Sequence, residues 1–326
     1  MTEITNLDKA INEIDRANTI AIFCHINPDG DTLGSGLALY KALRMYGKEP
    51  YIFCSGAPSD NLKRELGIFD VINEVEDVKA DLAIGVDAAT HDMLGEAGAI
   101  FDKATRRLVI DHHQTNTRYG DVNVVVKEAS ATAEVIYELL TSLGNKRVCI
   151  DDEIARLLYL AIVTDSGAFS FSSVTSETHR IASELIKYDF SASDIIYSLI
   201  KKKKKTVFDL THRVLNKAKF FDDDKIAVVT FRDEDFVATG TSIKDTEGII
   251  NNLINIDSVE IAIAISEVSE SSFKLSIRTK ESVDASNIAT FFGGGGHARA
   301  AGLRMSGFYE DVLDTIVRYA TIELGD

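Results

Sequence analysis

The sequence predicts an α/β protein, with an N-terminal parallel sheet covered by helices on both faces and a smaller C-terminal α/β domain. Three observations predict it. Through the first half, short continuous apolar segments alternate with longer amphipathic ones, the pattern of strands buried on both faces and joined by crossover helices. Near Lys225 strand-like segments begin again after a mostly helical stretch. The length of 326 residues, 45% of them hydrophobic, supplies two cores at about 100–200 residues per domain.

In order along the chain, Thr19–Cys24, Tyr51–Cys54, Leu82–Val86 and Leu108–Ile110 read as strands, each a brief apolar burst. Gly34–Tyr46 and Asn61–Leu66 read as the helices between them. From Ala129 the apolar spacing changes to three and four, so Thr132–Leu143, Asp152–Val163 and Ser176–Lys187 are expected as helices flanking the sheet. Ser193–Lys219 is expected to be a helical connector. Ser191 and Ser193 are candidate caps for it, and Asp222–Asp224 is the turn that ends it. Beyond it Ile226–Phe231, Val259–Ser266 and Phe273–Arg278 read as strands, Thr246–Asn255 and Glu310–Glu323 as helices. The expected boundaries are residues 1–190 for the first domain, 191–224 for the connector and 225–326 for the second domain.

Composition narrows the function. Lys and Arg total 35 against 51 Asp and Glu, a formal charge of −16, which argues against broad binding to long duplex nucleic acid but not against a small anion in a local pocket. Cys24, Cys54 and Cys149 are odd in number and widely spaced, so neither a disulfide framework nor a thiolate zinc site is expected, only reduced, buried thiols. Met1–Glu13 is acidic where a secretion signal starts basic, and the longest apolar run, Leu157–Val163, is too short to span a bilayer. A cytoplasmic protein without a membrane partner is expected.

The chemistry concentrates at segment ends. His25-Ile26-Asn27-Pro28-Asp29-Gly30-Asp31 follows the first strand, at the edge where open parallel sheets place ligands. Alone, it reads equally well as an Asp-Gly turn with capping carboxylates. The event recurs, however: Leu82–Val86 ends in Asp87, Leu108–Ile110 in Asp111-His112-His113, and Leu157–Val163 in Thr164-Asp165. Four such ends point to convergence on one site, and clustered carboxylates need cations to offset their repulsion. Asp and His without Cys favour Mn²⁺ or Mg²⁺ over structural zinc. So many ligands suit a pair of ions about 3.5–4 Å apart, the arrangement used in phosphoryl transfer, and phosphate ester hydrolysis is the inference. His91, His179 and His212 read as surface or capping residues.

A second constellation is Phe291-Phe292-Gly293-Gly294-Gly295-Gly296-His297-Ala298-Arg299. The glycines read either as an anion nest, with His297 and Arg299 adding donors, or as a flexible tight turn. No Lys-Ser or Lys-Thr follows, so it is not a Walker loop. Arg278 reads as a further anion contact or as a surface charge. Lys201–Lys205 reads as the solvated face of the connector helix rather than an RNA track, and Phe291-Phe292 as core packing rather than base stacking.

Taken together, His25-x-x-x-Asp29-Gly30-Asp31, Gly85-Val86-Asp87, Asp111-His112-His113, Thr164-Asp165-Ser166-Gly167 and Gly293–His297 resemble, in order and spacing, the DHH/DHHA1 phosphoesterases. The likeness is to their short bacterial members of the nanoRNase and 3′-phosphoadenosine-5′-phosphate (pAp) phosphatase type. The resemblance implies a DHH catalytic domain followed by a DHHA1 substrate-binding domain. It implies two divalent cations, Mn²⁺ ahead of Mg²⁺ or Co²⁺. His25 and Asp29 would hold one and Asp31, His112 and Asp165 the other, with Asp87 bridging. His113 would face the substrate phosphate and Asp111 would support the histidine pair. Arg278, Gly294, Gly295, Gly296, His297 and Arg299 would grip the far phosphate or sugar of a short nucleotide or oligoribonucleotide, with homodimer assembly left open. Ser166 stands where many relatives have Thr, and Ala88-Ala89 where many have a polar residue; neither removes a ligand. The glycine-rich motif separates the chain from family II pyrophosphatases, and its length from RecJ-type exonucleases. Two rivals stand beside this reading: a phosphodiesterase dedicated to linear products of cyclic dinucleotides, and a nucleotide-binding regulator without turnover. A missing metal ligand would mark the regulator, and none is missing.

Overall fold

The apolar bursts of the first half pair as a parallel sheet. The structure, a computed structural model, describes residues 2–67, 72–73, 78–144, 150–246 and 248–325. The chain divides into two units, Met1–Lys202 and Lys203–Asp326, so the segment expected as connector contributes to both.

The first unit runs α1 (Thr2–Arg16), β1 (Thr19–Phe23), α2 (Gly30–Met45), β2 (Glu49–Phe53), α3 (Asp60–Leu66), β3 (Ile72–Asn73), β4 (Leu82–Val86), α4 (Gly98–Lys103), β5 (Arg106–Asp111), β6 (Val122–Val125), α5 (Thr132–Gly144), α6 (Asp152–Asp165), α7 (Ser176–Leu185) and α8 (Ala192–Ile196). The strands are all parallel, in the order β3-β2-β1-β4-β5-β6. Connections run one way from β1 and the other way from β4, so the two central neighbours form the switch point, where the loops diverge and leave a crevice. Both faces are covered, as expected. Ile20, Ile22, Ile84 and Ile110 turn to a large core shared with α2, α5 and α6. Ala21, Phe23, Phe53, Ala83 and Val109 turn to a smaller one with Leu94, Ile100 and Phe101.

Helix α2 begins four residues before the expected Gly34, because Asp29 caps it, accepting from the Asp31 and Thr32 N–H groups at 3.1 and 3.0 Å. The sequence reading omitted α1, β3, α4 and β6. β3 and β6 are two and four residues long, too short for a periodic signal. Cys24 is buried and Cys54 partly so, both as free thiols; Cys149 lies outside the described residues. Among the described residues no helix is long and apolar enough to cross a membrane.

The second unit runs α9 (Lys205–Leu215), β7 (Lys219–Phe221), β8 (Ile226–Phe231), α10 (Asp233–Thr239), α11 (Asn251–Ile254), β9 (Ile261–Ser269), β10 (Ser272–Thr279), α12 (Ala285–Phe291), β11 (Gly295–His297), β12 (Ala300–Ser306) and α13 (Tyr309–Glu323). Its sheet, β11-β12-β10-β9-β8-β7, is mixed: β8 and β9 are parallel and the other pairs antiparallel. Alternation along β8 sends Ile226 and Val228 to a core with α12 and α13, and Ala227, Val229 and Phe231 to one with α9 and α10. Asp222–Asp224 closes the β7–β8 hairpin, all three residues at positive φ. The expected connector helix therefore ends in a strand that sequence reading missed. Ser191 caps α8 by accepting from the Asp194 N–H at 3.3 Å, while Ser193 lies inside that helix. Phe292 packs on the core, but Phe291 is exposed and stacks on Tyr319 with ring centroids 4.2 Å apart, which corrects the packing expected of it.

Candidate metal centre

Each ligand candidate of the first unit sits at the end of an element facing the switch point. His25 follows β1, Asp87 follows β4, and Asp111-His112-His113 closes β5. Asp29 and Asp31 open α2, and Asp165 closes α6. The last two elements meet because residue 30 is glycine: a Cβ there would lie 2.3 Å from Thr164 Oγ1.

Three donor sets result, each with its ligand atoms within 4.8 Å of one another: His25/Asp29/Asp87, Asp31/His112/Asp165 and Asp87/His112/His113. Asp87 joins them. Its Oδ2 is 3.5 Å from His25 Nε2 and its Oδ1 is 3.7 Å from His112 Nε2. His25 Nε2 lies 3.6 Å from Asp29 Oδ2, and His112 Nε2 lies 3.3 Å from Asp165 Oδ2 and 4.0 Å from Asp31 Oδ2. Asp87 holds a left-handed backbone, φ 58°, a conformation uncommon outside glycine and kept where the surroundings enforce it.

The electrostatics suit cations. Burial, then the charges of Asp87 and Asp165, push the Asp31 carboxyl well above the usual carboxylate range. Burial, then Asp29, Asp165 and Asp111, do the same to Asp87, and burial leads at Asp165 as well. Divalent ions among hard oxygen and imidazole donors would remove that penalty, so the donor set fits them. Burial is the largest influence on Asp29, but its interactions with His25 and the Thr32 and Asp31 N–H groups together outweigh it and lower the carboxyl.

Neighbouring groups hold the donors in place. His112 Nδ1 is 3.1 Å from the Ala129 carbonyl, which assigns it the donor role and leaves Nε2 as a lone-pair donor. The start of α5 donates Thr132 N–H and Ala133 N–H to Asp31 at 2.6 and 3.1 Å, Ser35 Oγ adds a third bond, and Thr132 Oγ1 donates to Asp87 Oδ1 at 2.9 Å. Asp111 is buried, yet hydrogen bonds from His113, Asn116 and the His112 N–H hold its carboxyl below the usual range. The same 2.7 Å bond to Asp111 raises His113 against the opposing effect of burial. His113 is thus anchored through Nδ1, which leaves Nε2 as its unanchored ring nitrogen. Sequence reasoning missed Ser35, Asn116 and Thr132. Only Thr132, as the first residue of a legible helix, carried any local signal.

The remaining candidates lie in the second unit. Arg278 is on β10, and its guanidinium also donates to the Ile277 carbonyl at 3.0 Å. The Gly293 and Gly294 N–H groups are taken by the Thr290 and Ala289 carbonyls at the end of α12, so they are not open to an anion. Gly295 and Gly296 continue into a hairpin with β12, in which a Cβ on Gly296 would lie 2.5 Å from the Ala300 carbonyl oxygen. His297 is exposed at the end of β11. The Arg299 guanidinium donates to the carbonyls of Lys280, Val283 and Glu281 and so ties down the loop before α12.

Residues 19–162 match the DHH family N-terminal domain and residues 223–322 the DHHA1 domain. The chain is 31% identical over 304 residues, 91% of its length and 89% of the other's, to the bifunctional oligoribonuclease and PAP phosphatase NrnA of Thermus thermophilus. It is 29% identical over 294 residues to the protein of that name from Bacillus subtilis, with 90% and 91% coverage. An exopolyphosphatase-related protein from Bacteroides fragilis superposes with a TM-score of 0.88 at 25% identity, covering 99% of this chain and 98% of that one. RecJ of Thermus thermophilus bound to Mn²⁺ shares the fold, with a TM-score of 0.57 at 14% identity over 96% of this chain and 53% of that one.

Proposed function

This chain belongs to the DHH family, with a DHHA1 domain as its second part, and from that premise we propose that it hydrolyses short nucleotides with the help of two divalent cations. The chain is a phosphoesterase, and the substrates proposed for it are pAp, cleaved to AMP, and 5′-phosphorylated oligoribonucleotides of two to five residues. Support for these comes from the relatives named for oligoribonuclease and PAP phosphatase activity. One observation carries the two-cation reading: the carboxylate of Asp87 turns one oxygen to His25 and the other to His112.

In this reading His25, Asp29 and Asp87 would hold one cation, and Asp31, His112 and Asp165, with Asp87, would hold the other. When bound, the cations, Mn²⁺ ahead of Mg²⁺, supply Lewis-acid activation of water and offset charge on the phosphoryl oxygens. The side chains do the rest. His113, whose proton affinity the hydrogen bond to Asp111 raises, faces the scissile phosphate and in its protonated form donates Nε2–H to a non-bridging oxygen. Thr132 orients Asp87, and the Ala129 carbonyl fixes the tautomer of His112. Within the second unit, Arg278 and His297 are the side chains proposed to contact a phosphate or sugar, and Arg299 ties down the loop before α12.

The test is Mn²⁺-dependent release of AMP from pAp and from 5′-phosphorylated two- to five-nucleotide RNA, beside pyrophosphate and an Asp87→Asn control. Turnover of the nucleotides alone is expected. Turnover of pyrophosphate alone would refute the substrate assignment, and activity undiminished in Asp87→Asn would refute the role of that carboxylate.

A further inference from the structure

Lys201–Lys205 are exposed, as their sequence suggested, although Lys202–Lys204 form a break before α9 rather than part of a helix face. More is built into the edge of the first unit. Among its described residues, four other than glycine hold a left-handed backbone: Asp87, Arg118, Ala168 and Phe169. All four lie in segments that follow β4, β5 or α6, on the edge that carries the candidate metal ligands. Backbone strain of this kind collects where a site must be held in one arrangement.

Beyond Asp165 three left-handed residues come in succession, Gly167 (φ 56°), Ala168 (φ 53°) and Phe169 (φ 65°). Hydrogen bonds pin the loop that follows. Ser166 Oγ accepts from the Phe169 N–H at 3.0 Å, and the Ser166 carbonyl accepts from the Ser170 and Phe171 N–H groups at 3.0 and 3.1 Å. The Phe171 carbonyl accepts from the Val174 N–H at 3.1 Å. The two phenylalanines then part. Phe169 packs against the core, with its ring centroid 5.4 Å from that of His179 and 6.0 Å from that of Tyr159. Phe171 has no aromatic partner among the described residues and is 57% exposed. The tip of its ring lies on Gly167, where a Cβ would come within 2.5 Å of Cε1 and 2.6 Å of Cζ. The ring is thus held over a residue two positions from Asp165, on backbone already fixed, with more than half of its surface open.

We propose that Phe171 stacks on the nucleobase of the substrate, so that the unit bearing the metal centre itself selects nucleotides over bare phosphate esters. This rests on the hydrolysis reading above and assigns its base contact. One open ring is too small a patch for a protein partner, but it matches the area of a base. Stacking accepts every base, because each has a π-face, and Phe has no hydrogen-bonding group with which to read a base edge. The selection is therefore for the presence of a base and not for its identity.

The experiment compares the parent chain with Phe171→Ala, Phe171→Leu and Phe171→Tyr in Mn²⁺, on pAp, on its uridine counterpart and on the abasic analogue in which hydrogen replaces the base. Phe171→Ala should raise KM about tenfold for both nucleotides, with kcat unchanged, as expected when binding common to ground and transition state is lost. Phe171→Leu, apolar but without a π-face, should follow Ala, and Phe171→Tyr should follow the parent. KM for the abasic analogue should be the same in all four chains, and so should the melting temperature. Titration of AMP in EDTA, followed by saturation-transfer NMR from protein to adenine protons, reads the same contact without turnover; affinity should fall about tenfold in Phe171→Ala. Equal losses on pAp and the abasic analogue would overturn the proposal. So would a loss in kcat alone, or an AMP affinity unchanged in Phe171→Ala. Absence of turnover on all three substrates would refute the hydrolysis reading instead, and the AMP titration then decides the base contact alone.

Discussion

Replacing Asp87 by Asn removes the charge that lies between His25 and His112 in the candidate metal centre while keeping nearly the same shape. Asn tolerates the left-handed backbone at this position, and its amide oxygen still accepts from Thr132. In the metal-free protein, burial and the neighbouring carboxylates raise the Asp87 carboxyl above its unfolded value. The folded state then binds more protons than the unfolded one, so the penalty is absent below about pH 3.9 and grows as pH rises above it. Metal-free Asp87→Asn should therefore equal the parent chain in stability near pH 3.5 and exceed it at pH 8. A buried polar group lacking its partner costs about 1–3 kcal/mol, which for a unit of this size is about 2–10 °C in Tm. Mn²⁺ should reverse the ranking, since cation at 100 times its Kd stabilises the parent chain by about 2.7 kcal/mol per site. Hydrolysis should fall about a thousandfold or more, because several kcal/mol of charge stabilisation is lost at about 1.36 kcal/mol per tenfold. Scanning calorimetry from pH 3.5 to 8, with EDTA or Mn²⁺, gives the first two quantities and pAp turnover the third. A metal-free variant no more stable than the parent at pH 8, or one stabilised equally by Mn²⁺, would refute the reasoning.

Other substitutions probe the supports. Thr132→Val keeps the backbone bonds to Asp31 but removes the hydroxyl on Asp87; a loss of about 10–100-fold in Mn²⁺ affinity or turnover is expected, and calorimetric titration showing unchanged affinity would contradict it. Gly30→Ala drives a methyl into Thr164, which should cost about 1–3 kcal/mol in denaturant unfolding and weaken Mn²⁺ binding as the starts of α2 and the end of α6 separate. In the second unit, Asp235 is opposed by burial but lowered by hydrogen bonds from Lys217 and Arg213, at 2.9 and 2.6 Å. Its contribution is present above the unfolded pKa and lost as pH falls through the lower folded one. Asp235→Asn should thus cost about 1 kcal/mol at pH 7, allowing for half-exposed partners, and progressively less as pH falls below the unfolded carboxylate range; a cost independent of pH would count against the ion pairs.

The elements legible in the sequence are those whose signal is local. Ile226–Phe231 and Leu82–Val86 match their predicted bounds because a strand buried on both faces needs a continuous apolar run and nothing else. The candidate positions after β1, β4 and β5 were legible for a related reason: a residue following a strand lies at the sheet edge whatever the rest of the chain does. The short strands β6, β7 and β11 carried no comparable period, and their pairing depends on neighbours elsewhere in the chain. The glycine run shows the same limit. Its composition allows an anion nest, but the end of α12 takes two of its N–H groups.

The sequence by itself determined the α/β class, the central parallel sheet and the identity of the acids and imidazoles at segment ends, since each follows from residues adjacent along the chain. The tertiary structure alone decided how they act together. The bond from Thr132 to Asp31 spans 101 residues and that from Thr132 to Asp87 spans 45. The division of the Asp87 carboxylate between His25 and His112 and the tautomer of His112 also rest on contacts between different elements. Charge, tautomer and proton affinity are set by what packs within a few ångströms, and in a wound sheet those neighbours come from distant segments.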